Sequence, residues 1–345
     1  MENPNVYIYG NEKLLSFFTG AVENEKIAHA YILEGGRGSG KHTLARRLAC
    51  LLACRSMFER PCFMCESCRK ISEGISPDVI EICLPNDKKT IGVEAVRELR
   101  SSVYVKPTEE DVKIYIIADA ERMTEQAQNV FLKVLEEPPR GVYFIMLCEN
   151  SSNILHTVKS RAPVLKMQIF SDKELSDYLI EHNKTASSLK ASSPDEFDLI
   201  VRIAEGKIGE AERLIADAKK DKSVSKHEKA KQLIEMASDN YKFSDYLLFV
   251  QRIAQSRDEL TDILLYAMYA VRDIMAVKRT DGEGAHLLFY PSADDVRSVA
   301  ASFTAAGVVR MYDEICRTRT ELSSNANLSN TLNTLACSLK KAADI

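Results

Sequence analysis

The stretch Gly35-Gly36-Arg37-Gly38-Ser39-Gly40-Lys41-His42-Thr43 holds the parts of a phosphate-binding loop. From Gly35 to Gly40-Lys41 the spacing is that of G-x-x-x-x-G-K-[ST]. The glycines let backbone N–H groups converge on phosphate oxygens, and the lysine reaches further along a polyphosphate. The next position should carry a hydroxyl that ligates Mg2+. It is His42, with Thr43 one step later. The chemistry on offer is nucleotide binding, with a defect where metal-assisted hydrolysis needs its ligand.

Cys54, Cys62, Cys65 and Cys68 place four thiols within fifteen residues, as two overlapping C-x-x-C pairs and one cysteine upstream. Closed tetrahedral Zn2+ is the natural occupant, and a structural one, because no general base stands nearby to serve a catalytic ion. A redox pair or buried free thiols are the alternatives. Cys50, one helical turn before Cys54, is the rival ligand, whereas Cys83, Cys148, Cys316 and Cys337 sit in apolar segments and read as core residues.

A third group follows Lys113-Ile114-Tyr115-Ile116-Ile117-Ala118. In P-loop ATPases such a strand ends in an acid that holds Mg2+, followed by a glutamate that polarises the attacking water. Asp119 is present, but Ala120 follows it and Glu121 comes one position late. That displacement matters because the acid must reach the water by a hydrogen bond. Helix capping is the alternative role for Asp119.

The elements that must position these groups can be read from periodicity. Short β-rich runs at Ala30–Leu33, Val79–Ile82, Lys113–Ala118, Val142–Cys148 and Pro163–Met167 alternate with helical patterns. One helix carries Leu44, Leu48, Leu51 and Leu52, a second Val93, Val96, Leu99 and Val103, and a third spans Thr124–Glu137 and stops at Pro138-Pro139. Alternation of this kind implies a mostly parallel sheet with helices on both faces. After Phe170 the strands stop, and Ser171-Asp172-Lys173-Glu174 is a capping box opening a helix. A small helical unit runs to about Asp217. The lysine-rich stretch Lys219, Lys220, Lys222, Lys226, Lys229 and Lys231 reads as a solvated linker and helix face rather than a nucleic-acid patch. From about residue 226 the chain is helical apart from a loop near Asp281 to His286, and Pro291 is expected in the first turn of a helix. The expected organisation is an α/β domain over 1–170 with the cysteine insertion at 54–68, a small helical domain over 171–220, and a larger helical domain over 221–345.

Composition narrows the function classes. The 345 residues suffice for two or three domains, with 45% hydrophobic and 28% charged residues and a net charge of −4. A chain of that charge is no polyanion-seeker on its own, so work on DNA would take place within an assembly. Met1-Glu2-Asn3-Pro4 lacks the pattern of a signal peptide, and no apolar run reaches membrane-spanning length. A cytoplasmic protein without a membrane partner is expected, and its nine cysteines are then no disulfide framework.

At this point the motifs resemble a known family. Ile27-Ala28-His29-Ala30-Tyr31 before the glycine loop, the four-cysteine insertion after it, Leu132-Lys133-Val134-Leu135-Glu136-Glu137-Pro138-Pro139, Ser160-Arg161-Ala162 and Asn325-Ala326-Asn327 follow the order of the AAA+ clamp-loader family of bacterial DNA polymerase III. The similarity is strong over residues 5–170, fair to about 217, and architectural beyond that. It implies a P-loop AAA+ domain, a helical lid domain and an all-α collar domain. Motor subunits of the family keep a hydroxyl after the P-loop lysine, an Asp-Glu pair, and a lid arginine in a Gly-Ser-x-Arg-Asp context. This chain has His42, Ala120 and, in Gly206-Lys207-Ile208-Gly209-Glu210-Ala211, Gly209. It therefore resembles the delta-prime type, a stator that does not hydrolyse ATP.

The resemblance implies that Arg161 acts in trans, as an arginine finger in a neighbouring subunit's site. It also implies that Gly35, Gly38, Gly40, Lys41, His42, Thr43 and Asp119 form a degenerate site with weak or absent ATP binding, and that Cys54, Cys62, Cys65 and Cys68 hold structural Zn2+. The implied partners are the motor subunits, the delta subunit, the sliding clamp and primed DNA. The missing cysteine of the Ser-Arg-Cys motif, here Ala162, is a minor variation. Two other readings stay open: a gamma/tau-type motor in which Glu121 and Thr43 stand in for the missing groups, and a zinc-dependent DNA-binding module. The module lacks a basic, aromatic helix beside the knuckle.

Overall fold

Five short runs rich in β-branched and aromatic residues form one parallel sheet: β1 (Ala30–Glu34), β2 (Val79–Ile82), β3 (Lys113–Ile117), β4 (Val142–Cys148) and β5 (Val164–Lys166). Their spatial order is β2-β3-β4-β1-β5. Register is set by pairs such as Ala30 with Phe144, Ile32 with Val164, and Lys113 with Val142. This is a computed structural model, and it describes residues 6–56, 58–84, 90–220, 226–238, 240–280, 286–322 and 327–343.

Side chains two apart along a strand share a face, and each face has its own core. Ile32, Tyr115, Ile117, Phe144 and Met146 pack under α4 (Val93–Val103) and α5 (Glu125–Glu136). Tyr31, Leu33, Ile114, Ile116 and Ile145 pack under α1 (Glu12–Glu23) and α2 (Lys41–Ala53). The expected parallel sheet with helices on both faces is thus present. Thr124 caps α5, accepting the Ala127 N–H at 3.2 Å. Between α2 and β2 lies α3 (Glu66–Glu73), and α6 (His156–Lys159) precedes β5.

No strand follows Phe170 among the described residues. Ser171 and Glu174 form the predicted capping box at the start of α7 (Asp172–His182). Then come α8 (Lys184–Ser192), α9 (Pro194–Ile203), α10 (Ile208–Lys220), α11 (Lys226–Glu235), α12 (Phe243–Arg252), α13 (Arg257–Thr280), α14 (Ala293–Ala300), α15 (Ala305–Leu322) and α16 (Leu328–Ala343). The chain divides into two compact units, Met1–Phe170 with Lys207–Glu210, and Ser171–Gly206 with Ala211–Ile345. In the second unit the buried Asp273 carboxylate accepts the N–H groups of Leu288, Phe289 and Tyr290, tying that segment to α13.

One local expectation needs correction. Pro291 lies outside the helix it was expected to begin. Ser292 is the cap, accepting the Asp295 N–H at 3.3 Å, and the helix starts at Ala293. A hydroxyl that can accept that N–H takes the cap position, and proline stands before it. Asn327 caps α16 by accepting the Asn330 N–H at 3.2 Å, while Asn325, Ala326, Lys222 and residues 281–285 of the Asp281–His286 loop lie outside the described residues. Among the described residues, no helix is long and apolar enough to cross a membrane.

Candidate functional site: a phosphate loop, an exposed arginine and a four-cysteine knuckle

The glycine loop leaves the carboxyl end of β1, an interior strand between β4 and β5, and runs into α2, so the helix N-terminus faces whatever the loop holds. Gly38 and Gly40 have φ of +78° and +86°, which L side chains rarely adopt. A Cβ on Gly38 would also fall 2.4 Å from the Glu210 nitrogen. There the first turn of α10 meets the loop, and the Gly209 N–H donates to the Gly38 carbonyl at 2.9 Å. Lys41 is buried, and its Nζ donates to the carbonyls of Gly35 and Gly36. An ammonium has three donors, so one remains for a phosphate oxygen. Burial lowers the Lys41 pKa, and Glu149, Glu121 and Asp119 oppose that shift. The cradle is intact and carries a cation.

Two positions that would serve a metal-dependent site carry His42 and Ala120. The His42 Nε2 lies 3.4 Å from one carboxylate oxygen of Glu81 on β2, and Arg46 holds the other at 3.2 Å. Burial lowers the imidazole pKa, against the pull of Glu81. Thr43 lies in the first turn of α2. Asp119 sits just past β3 with φ of +49°, ahead of a 3-10 turn over Ala120–Arg122, and its side chain makes no capping bond. The capping role weighed for it is therefore not realised. Ala120 is fully buried in the core. Glu121 accepts the Glu149 N–H at 3.0 Å through one oxygen, while its other oxygen is buried without a hydrogen-bond partner among the described residues.

Arg161 follows α6. Its guanidinium pairs with Glu136 at the end of α5 at 2.8 Å and donates to the Thr157 carbonyl at 3.0 Å. These contacts, with one to the Ser160 hydroxyl at 3.4 Å, lie away from the phosphate loop in sequence, and the side chain stays 36% exposed. Ala162 beside it is fully buried in the core.

The four sulfurs of Cys54, Cys62, Cys65 and Cys68 all lie within 4.8 Å of one another. Zn–S bonds of about 2.3 Å at tetrahedral angles would set them about 3.8 Å apart, so the set fits a closed metal site. Backbone N–H groups point at the sulfurs: Cys62 to Cys54 at 3.4 Å, Cys65 to Cys62 at 3.4 Å, and Cys68 to Cys65 at 3.5 Å. Burial raises the pKa values of Cys54 and Cys65, and contact with Cys50 raises that of Cys68. At Cys62 burial is outweighed by the N–H groups of Cys65 and Met64, which lower it. Four thiols so close need a cation to ionise together. The cluster can hold a metal ion. Cys50 is not part of this set.

Residues 10–171 match the protein family described as DNA polymerase III, delta subunit. That match covers most of the first unit and none of the second beyond Ser171. A DNA polymerase III subunit gamma from Buchnera aphidicola is 33% identical over 214 residues, which are 61% of this chain and 57% of that protein. The DNA polymerase III subunit delta' of Bacillus subtilis is 30% identical over 199 residues, 54% of this chain and 60% of that one. The chain therefore spans less than two thirds of the length of these relatives. A solved DNA polymerase III gamma subunit-related protein from Thermotoga maritima is 17% identical, with a TM-score of 0.47 over 95% of this chain and 99% of that chain.

Two features of the first unit leave no signal in the sequence. Glu136, the partner of Arg161, belongs to the Leu-Glu-Glu-Pro-Pro segment, but nothing in that segment signals a partner 25 residues later. Asp78 is buried and accepts the N–H groups of Thr108, Glu109 and Glu110 at 2.7, 2.7 and 2.9 Å. The loop it holds in turn anchors the knuckle, because Glu110 accepts from Ser67 at 2.7 Å and Glu109 pairs with Lys70 at 2.8 Å.

Proposed function

We propose that this chain is a non-hydrolysing, delta-prime-type stator subunit of a DNA polymerase III clamp loader. It would help load the sliding clamp on primed DNA and supply Arg161 in trans to a neighbouring ATPase subunit. The observation that carries this reading is the joint loss of three catalytic positions around an intact cradle. The metal ligand is replaced by His42, which pairs with Glu81. The acid that should polarise water is replaced by Ala120, buried in the core. The lid arginine is replaced by Gly209, whose backbone meets Gly38. A loop that keeps Lys41 without these groups can hold a polyphosphate weakly and does not turn it over.

Arg161 then supplies the chemistry of the assembly. A guanidinium held at the surface by one half-exposed carboxylate and a backbone carbonyl is easily released, because exposed ion pairs contribute at most about 1 kcal/mol. Moved onto developing phosphoryl charge, it can contribute about 10³–10⁵ in rate. In this reading residues 1–170 form the AAA+ domain, 171–220 the lid and 221–345 the collar that joins the motor and delta subunits, all in the cytoplasm. The four cysteines would hold a structural Zn2+, which would tie down the 54–68 insertion and take no part in a reaction step.

One observation favours a second reading. The unpartnered buried oxygen of Glu121 is what a motor subunit with a displaced catalytic acid would present, with Thr43 serving the metal. The same test separates the two. ATP turnover is measured for the chain alone and for a reconstituted complex with primed DNA and clamp, each with the unaltered chain and with Arg161→Ala. The stator reading expects an inert isolated chain and a complex slowed about 10³-fold or more by Arg161→Ala without falling apart. Turnover by the isolated chain, indifferent to Arg161→Ala, would make it a motor.

A further inference from the structure

The Arg161 side chain is held by few contacts, and their chemistry decides how it leaves. Its Nη2 donates to one carboxylate oxygen of Glu136 at 2.8 Å. Its Nη1 donates to the Thr157 carbonyl at 3.0 Å and to the Ser160 hydroxyl at 3.4 Å. The same Thr157 carbonyl accepts the Ser160 hydroxyl at 2.9 Å. Both members of the ion pair reach solvent, the carboxylate 49% exposed and the guanidinium 36%. Among the described residues Glu136 has no other side-chain partner, and it is the one carboxylate in ion-pair contact with Arg161.

The surroundings separate what is fixed from what can move. Ala162 is fully buried, and the N–H groups of Arg161 and Ala162 both donate to the Val158 carbonyl at 3.0 Å, so the backbone beneath the guanidinium is anchored. The side chain can swing without it. When the guanidinium leaves, Thr157 keeps the Ser160 hydroxyl and the Glu136 oxygens meet water, so no buried polar group is orphaned. The charge of Glu136 is then the main force that opposes departure. That charge stands on the last residue of α5, where the helix dipole disfavours an acid, so the helix itself gains nothing from it.

We propose that Glu136 is a positioning residue that parks Arg161, so that its carboxylate sets the fraction of the arginine available to a neighbouring subunit's phosphates. The proposal rests on the reading of Arg161 as a finger acting in trans. A group that must leave a parked state acts in proportion to its free fraction. An exposed ion pair shifts that fraction by at most about 5-fold. Glu136 therefore withholds, by a few-fold, an arginine worth about 10³-fold or more once engaged.

The test is single-turnover ATP hydrolysis by the reconstituted complex with primed DNA and clamp, with assembly of each complex followed by sizing. The full chain is used unaltered, with Glu136→Ala, with Glu136→Gln, with Arg161→Ala, and with Glu136→Ala and Arg161→Ala together. Hydrolysis is expected to be about 2- to 5-fold faster with Glu136→Ala. Glu136→Gln keeps an uncharged acceptor and is expected to give a smaller gain. Glu136→Ala is expected to give none once Arg161 is alanine, a coupling that a merely structural carboxylate would not show. Slower hydrolysis with Glu136→Ala, loss of assembly, an unchanged rate, or a gain that persists without Arg161 overturns the proposal. An Arg161→Ala complex as fast as the unaltered one is a different result, in which the trans-arginine reading itself has failed.

Discussion

Asp78 accepts three backbone N–H groups and so anchors the 108–110 loop, and its energetics show why single side chains matter at this scale. Burial, the largest influence on its pKa, pushes it up, and three backbone N–H groups outweigh that and hold it below the ordinary value. A depressed folded pKa means that this carboxylate stabilises the fold above its unfolded pKa of about 3.9 and stops doing so as pH falls through the folded value. Asp78→Ala would leave three donors unpaired, one of them in the buried contact to Glu110, at about 1–3 kcal/mol each where water cannot replace the oxygen. The expected outcome is a loss of at least about 3 kcal/mol in denaturant unfolding at pH 7, if the three costs add. Glu136→Ala removes only the exposed partner of Arg161 and is expected to change stability by less than about 1 kcal/mol. Equal effects from the two substitutions would show that the 108–110 loop finds its donors other partners. His42, Ala120 and Gly209 were legible in the sequence because a motif fixes what each should have been. Asp78 was not, because its partners are backbone N–H groups thirty residues on and carry no side-chain signature.

At the scale of elements, α3 is the part that depends most on something beyond its own residues. Eight residues are too few to hold a helix in water, so α3 relies on Cys65 and Cys68 at its start and on the Ser67–Glu110 and Lys70–Glu109 contacts along it. Removing the metal with a chelator is expected to open residues 54–70 to trypsin at Arg55, Arg69 and Lys70, while β1, β3 and β4 stay protected. Cleavage that is equally slow with and without chelator would mean that the side-chain contacts alone hold the insertion. The sheet strands were readable as buried apolar runs, and three of the five agree with their expected bounds to within a residue at each end, with β2 and β4 matching throughout. The 3-10 turn after Asp119 and the four-residue α6 left no such trace, since neither is long enough to show a period. Proline misled at residue 291 because its preference for a first turn competes with that of serine for the cap, and here the serine follows it.

At the scale of the whole molecule, chain order does not dictate the spatial order β2-β3-β4-β1-β5, because Ile32 of β1 pairs with Val164 of β5, far along the chain. What composition does determine is that each unit has its own apolar core, and so each can respond to its own conditions. In the second unit His227 packs 4.1 Å from Phe289 and has a buried Nε2 without a hydrogen-bond partner among the described residues. Burial pushes its pKa down to about 4, with a hydrogen bond to the Phe289 backbone and the Glu228 carboxylate opposing the shift, and with Lys231 and Arg202 reinforcing it. The unfolded imidazole titrates near 6.5, so between about pH 6.5 and 4 the unfolded chain binds the extra proton. Stability therefore falls with pH across that window and this group adds nothing further below it, a total of at most about 3 kcal/mol. His227→Asn keeps a donor at the Nδ position and cannot titrate. Followed by a probe in the second unit, unfolding of the unaltered chain is expected to shift to lower denaturant from pH 7 to pH 4.5, and the asparagine variant is expected to shift less. Parallel curves for the two proteins would assign the acid sensitivity of that unit to its carboxylates instead. The first unit, whose stability is tied to the cysteine knuckle and Asp78, should keep its chelator response at both pH values in the variant, since His227 lies in the other unit's core.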